Sequence, residues 1–144
     1  MSKFSGGCLC GAVRYESVVA PLGGGHCYCR DCRRSSGTAF CSHLVVPRAA
    51  FQVTGDLASH DRTADSGNVV TRVFCPRCGS PVYSTNAANP DAVFIRVSSL
   101  DDPEVFSPQM IVYASRAPSW ARLDDGLATF PEMAPPPARP VSLD

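Results

Sequence analysis

Residues 75–84 read CPRCGSPVYS (Cys75–Ser84), and the partner of its two cysteines decides what kind of fold the chain builds. A Cys-x-x-Cys turn points two sulfurs at one ion; Pro76 sets the turn and Gly79 can take positive φ. Such a knuckle supplies half of a tetrahedron. CLC, at Cys8 and Cys10, offers the other half. Joining the two pairs would tie the N-terminal strand to the middle of the chain through a closed, structural four-thiolate zinc site.

A third cluster lies between them. GHCYCRDCRRSSGTAF (Gly25–Phe40) carries Cys27, Cys29 and Cys32, one ligand short of a closed site, and Cys41 stands alone beyond it. The fourth ligand could be Cys41, His26, His43, His60 or no side chain at all. His26 adjoins Cys27, so its ring is expected to face away. Cys41 and His43 lie two residues apart on an expected strand and so share a face. A buried thiol beside a satisfied histidine would read identically. Spacing alone also leaves a second partition open, with Cys8 and Cys10 joining two of the triad and CPRC recruiting its ligands elsewhere.

The rest of the chain narrows the setting. Its 144 residues suit one domain with a core of its own, so a metal is not needed merely to compensate for small size. No apolar run approaches a membrane span and the N-terminus lacks a secretory pattern, so a cytoplasmic protein is expected. Reduced thiols are the rule there, which favours metal ligation over disulfides. Thirteen basic and thirteen acidic residues cancel, arguing against broad nucleic-acid or membrane binding. Arg30, Arg33 and Arg34 form a local patch beside the triad, either solvated loop charge or a grip for an anion.

Short β-branched runs recur between turn signals: residues 11–16, 40–46, 69–74, 92–100 and 110–115, with a weaker one near Phe51. Thirteen prolines and eleven glycines punctuate them. One short helix is expected over Arg30–Ser36, closed by Gly37. These features predict a mainly β domain over residues 1–130. A proline-rich tail follows over 131–144, loose or packed on the domain or on a neighbouring copy, with a homodimer as a further expectation.

GGCLCGAVRY, HCYCRDCRRSSGTAF and CPRCGSPVYS, in this order, resemble the glutathione-dependent formaldehyde-activating enzyme family, also called the CENP-V/GFA family. SRAPSWARLDDGLATF resembles the family's terminal part, so the likeness covers roughly Gly6–Phe130. It implies an Mss4-like fold of several coiled antiparallel sheets built around zinc, and two zinc ions. Cys8, Cys10, Cys75 and Cys78 correspond to the ligands of a structural ion. Cys27, Cys29 and Cys32 correspond to those of a catalytic one. Cys41 lies outside the pattern.

A three-thiolate zinc already carries negative charge, so it generates hydroxide poorly but suits a soft fourth ligand such as a substrate thiol. Coordination deprotonates that thiol. The family activity adds glutathione to formaldehyde, giving S-(hydroxymethyl)glutathione, and in reverse this is carbon–sulfur lyase chemistry. Arg30, Arg33 and Arg34 could then hold glutathione carboxylates. Two competing readings are a non-catalytic zinc-stabilised module that binds a small molecule or protein, and a thiol-based redox or zinc-buffering role.

Overall fold

The β-branched runs become strands in the computed structural model, which describes residues 2–135. In chain order they are β1 (Phe4–Gly7), β2 (Arg14–Ser17), β3 (Gly23–Cys27), β4 (Cys41–Pro47), β5 (Phe51–Thr54) and β6 (Ala58–Thr63). β7 (Val69–Phe74), β8 (Pro81–Asn86), β9 (Asn89–Arg96), β10 (Met110–Val112) and β11 (Ala128–Thr129) follow. The helix α1 spans Arg30–Ser36, and Gly37 ends it in the left-handed conformation, φ 86°.

Local chemistry trims several expected strands. The run at 11–16 becomes extended only at Arg14, because Gly11 turns at φ 81° and its N–H donates to Cys8 O at 3.2 Å. The run at 92–100 stops at Arg96, where residues 97–99 form a single 3-10 turn. The run at 110–115 stops at Val112, since Tyr113 adopts the left-handed region at φ 55°. Three glycines hide β3 from a pattern reading. Their bareness is required: a Cβ on Gly24 would lie 2.1 Å from His43 O, and one on Gly25 2.2 Å from Met110 O.

Two sheets result. The smaller has the order β1-β2-β5 and is antiparallel throughout. The larger has the order β11-β10-β3-β4-β9-β8-β7-β6. The expectation of purely antiparallel sheets needs correction here, because β10 runs parallel to both β3 and β11. After β9 the chain travels through residues 97–109 before returning along the outer edge of β3, so the two strands enter from the same end.

Alternation divides the large sheet into two faces. Leu44, Val46, Val93 and Ile95 point to one side and pack with Val82, Val13, Tyr15 and Phe4 into the main core, which the small sheet covers. Burying each such side chain contributes about 1.5–3 kcal/mol. On the opposite face, register places Phe94, Ser84, Arg72 and His60 in one row across β9, β8, β7 and β6, with His43 opposite Arg96 alongside. Helix α1 lies over this second face. Arg96, buried, donates from its guanidinium to Ser35 Oγ at 2.7 Å and to Ser35 O at 3.2 Å, which pins the helix.

Beyond β11 the backbone stays attached: the N–H groups of Tyr113, Ala114 and Ser115 donate to the carbonyls of Glu132, Phe130 and Pro131. The remainder of the proline-rich tail, residues 136–144, lies outside the described residues. No helix among the described residues is long and apolar enough to cross a membrane.

Candidate metal centres and the cleft between them

All eight cysteines are free thiols. Two of the three expected clusters, CLC and CPRC, come together. The turn after β1 carries Cys8 and Cys10, and the turn between β7 and β8 carries Cys75 and Cys78; their four sulfurs lie within 4.8 Å of one another. Cys8 and Cys10 Sγ are 3.6 Å apart, and Cys10 and Cys75 Sγ 3.8 Å apart. A disulfide needs about 2.05 Å. The edge of a tetrahedron of thiolates around zinc is about 3.8 Å for zinc–sulfur bonds of about 2.3 Å, so this donor set fits such an ion.

Backbone N–H groups also point at these sulfurs. Val13 N–H donates to Cys8 Sγ at 3.2 Å and Arg77 N–H to Cys75 Sγ at 3.3 Å. Hydrogen bonding with the Ser80 side chain and backbone brings the Cys78 thiol down to about 5. The alternative partition, with CLC joined to the triad, is not the observed one. Cys8 and Cys75 are buried members of the main core, so this cluster is part of the packing that joins the two sheets.

The triad forms differently. Cys27 ends β3, Cys29 caps α1, and Cys32 sits one turn into the helix, with all three sulfurs within 4.8 Å of one another. Cys29 Sγ accepts the Cys32 N–H at 3.3 Å, doing the work of a helix N-cap. The sulfurs divide their charge unevenly. Cys32 is pushed strongly toward thiolate because its sulfur accepts from Cys27, Cys29 and Cys41. Cys27, donating within the cluster and buried, is pushed the other way.

Cys41 does not join the triad as a fourth member. It belongs to a second group, Cys32, Cys41 and His43, whose ligand atoms also lie within 4.8 Å of one another. Cys41 Sγ is 3.3 Å from His43 Nε2. Burial lowers the His43 imidazole to about 4, so it is neutral near pH 7. His26 turns away, its Nδ1 2.7 Å from Ser42 Oγ and its ring 4.9 Å from that of Phe40. His60 sits out on β6, at the rim.

Cys29, Cys32 and His43 open onto a cleft of about 440 Å³ over the second face of the large sheet, within the range of small-molecule sites. Phe94 and Val70 give it an apolar floor, and Arg30, Arg62, Arg72 and Arg116 bring positive charge. Two of these cations are already paired: Arg62 Nε donates to Asp31 at 3.0 Å, and Arg116 pairs with Asp65. Among the described residues Arg30 and Arg72 have no carboxylate partner. Of the three arginines singled out in the sequence, Arg30 lines this cleft. Arg34 lines a shallower depression beside it, and Arg33 lines neither.

Tyr113 closes one wall in its left-handed conformation, an unusual state for an aromatic residue, with Arg116 stacked 5.1 Å from its ring. Arg72, Ser84, Phe94 and Tyr113 carry no motif. Only sheet register brings them to the triad, so spacing in the sequence offered no signal for them beyond the alternation of their strands.

Comparison with known proteins places the chain in a family. The profile of the glutathione-dependent formaldehyde-activating enzyme family matches residues 3–116. A Halomonas elongata protein provisionally named as such an enzyme is 26% identical over 125 residues, 83% of this chain and 80% of that protein. An uncharacterised lyase of Schizosaccharomyces pombe is 24% identical over 92 residues, 62% of this chain and 64% of that protein. A crystal structure of a Rhodobacter sphaeroides protein superposes with a TM-score of 0.54 at 22% identity, over 67% of this chain and 87% of that one, a likeness of fold.

Proposed function

We propose that this chain, which belongs to the glutathione-dependent formaldehyde-activating enzyme family, is a zinc-dependent carbon–sulfur lyase handling the aldehyde adduct of a small thiol such as glutathione. The observation that carries the reading is the triad's position: its three sulfurs cluster at the edge of a ligand-sized cleft, Cys29 and Cys32 lining it, and the nearest spare thiol, Cys41, belongs to a different group. Zinc held by Cys27, Cys29 and Cys32 would supply a positive centre that lowers the pKa of an incoming thiol. A second zinc held by Cys8, Cys10, Cys75 and Cys78 is structural.

In the synthetic direction the thiol sulfur bonds to the aldehyde carbon while the carbon–oxygen π bond breaks. The proton that leaves sulfur ends on the new hydroxyl oxygen. The lyase direction reverses each change. The chain's own residues orient the partners: Phe94 and Val70 exclude water from the floor, and Arg30 and Arg72 meet the carboxylates of the thiol. Arg33 and Arg34 stay outside this grip and offset the negative metal–thiolate cluster.

Exchange NMR on formaldehyde and glutathione, with and without the protein, tests the reading. Acceleration by the wild type and none by Cys29→Ser is the expected outcome. No acceleration by a zinc-loaded wild type would leave a zinc-stabilised binding module as the better account.

A further inference from the structure

We infer that Cys32, Cys41 and His43 form a second metal seat beside the triad, sharing the Cys32 sulfur with it and taking the ion when the triad loses a ligand. The inference concerns metal binding alone and does not depend on the lyase reading.

The geometry is that of ligands rather than of incidental neighbours. Cys41 and His43 are two apart on β4, so their side chains leave the strand on one face, the face over which α1 lies. The helix brings Cys32 down onto them, and the three ligand atoms lie within 4.8 Å of one another. The Cys41 Sγ to His43 Nε2 separation of 3.3 Å is close to the span that about 2.3 Å zinc–sulfur and about 2.1 Å zinc–nitrogen bonds produce around one ion.

Two thiolates and an imidazole are a donor set that zinc accepts, and three protein ligands leave a position for a guest. His43 and Cys32 both line the cleft, so an ion here would face the same solvent as one in the triad. Cys41 is buried behind them and directly opposite Cys27 in the β3–β4 ladder. The two seats are therefore adjacent compartments of one site, hinged on Cys32. Arg96, opposite His43 and bonded to Ser35 of α1, holds strand and helix in that relation whichever seat is filled.

Metal content and zinc-edge X-ray absorption test this without any assay of turnover. The Cys27→Ser/Cys29→Ser chain, which leaves the triad a single sulfur, is expected to retain two zincs per chain after dialysis and to show imidazole scattering. Adding His43→Gln should bring it to one. A folded Cys27→Ser/Cys29→Ser protein with one zinc per chain overturns the inference. Should that double variant not fold, Cys27→Ser alone gives the same readout. Imidazole scattering present in C27S and lost in C27S/H43Q supports the seat, and scattering missing from a zinc-loaded C27S sinks it.

Discussion

The two cysteine clusters use one side chain to opposite ends. Cys8, Cys10, Cys75 and Cys78 bring together two turns far apart in sequence, and two of them are buried in the main core. Cys27, Cys29 and Cys32 come from six consecutive residues and lie on the other face of the large sheet, with Cys29 and Cys32 lining a cleft. What separates them is the sequence distance each spans. A site that closes a long loop removes chain entropy and ties sheets together, whereas a local one stabilises little beyond its own turn. The local site can thus leave a position open with little loss to the fold.

The widest contrast comes from removing one sulfur from each. Cys75→Ser is expected to cost more than about 4 kcal/mol, enough to abolish cooperative unfolding by circular dichroism. Cys29→Ser keeps an oxygen able to cap α1, so its melting curve should stay within about 1 kcal/mol of wild type. If both unfold alike, the division of labour is wrong.

A second pair sharpens the contrast between the two faces of the sheet. Leu44→Ala, fully buried in the core, should cost about 2–5 kcal/mol by urea denaturation. Phe94→Ala, on the cleft floor, should cost much less and register instead in substrate affinity.

Within the cleft, Arg72→Leu should raise the KM for a glutathione adduct about tenfold, the weight of one charge-assisted contact, with kcat little changed. An adduct of a thiol lacking carboxylates should be indifferent to it.

The smallest effect belongs to the exposed side of the small sheet, where Arg14 of β2 pairs with Asp101. Arg14's hydrogen bond and charge hold the Asp101 carboxyl at about 2, below its ordinary value. A depressed carboxyl contributes stability above its unfolded pKa of about 3.9, and that contribution fades as pH falls toward 2. Both groups are largely exposed, so Asp101→Asn should cost under about 1 kcal/mol at pH 7 and nothing measurable near pH 2. Urea midpoints at the two pH values check it.

Much of this division is legible in the residues themselves. The helix over Arg30–Ser36 and its Gly37 stop, the cysteine sets, and β4, β7 and β9 follow from turn chemistry and alternation. β3 does not, since three glycines read as a loop until neighbours on both sides are known to press on it. β6, with the sequence ASHDRT, shows no apolar alternation because nearly all of it is exposed. The cleft is the least legible part. Arg72, Ser84 and Phe94 meet only through the β7–β8–β9 register, and the pairing of Cys41 with Cys32 needs a helix laid over a strand.

The glycine strand has a consequence for how the chain can go astray. Gly23, Gly24 and Gly25 offer no side chain by which one alignment with β4 and β10 differs from the next, so the choice falls to the ladders on either side and to His26 and Cys27 at the strand's end. A slip of one residue would swing Cys27 through to the opposite surface, among the aliphatic side chains around Leu44, and leave α1 capped but its sulfurs scattered. The chain can therefore reach a well-paired sheet and still be chemically inert, a misassembly that thermal stability would not reveal.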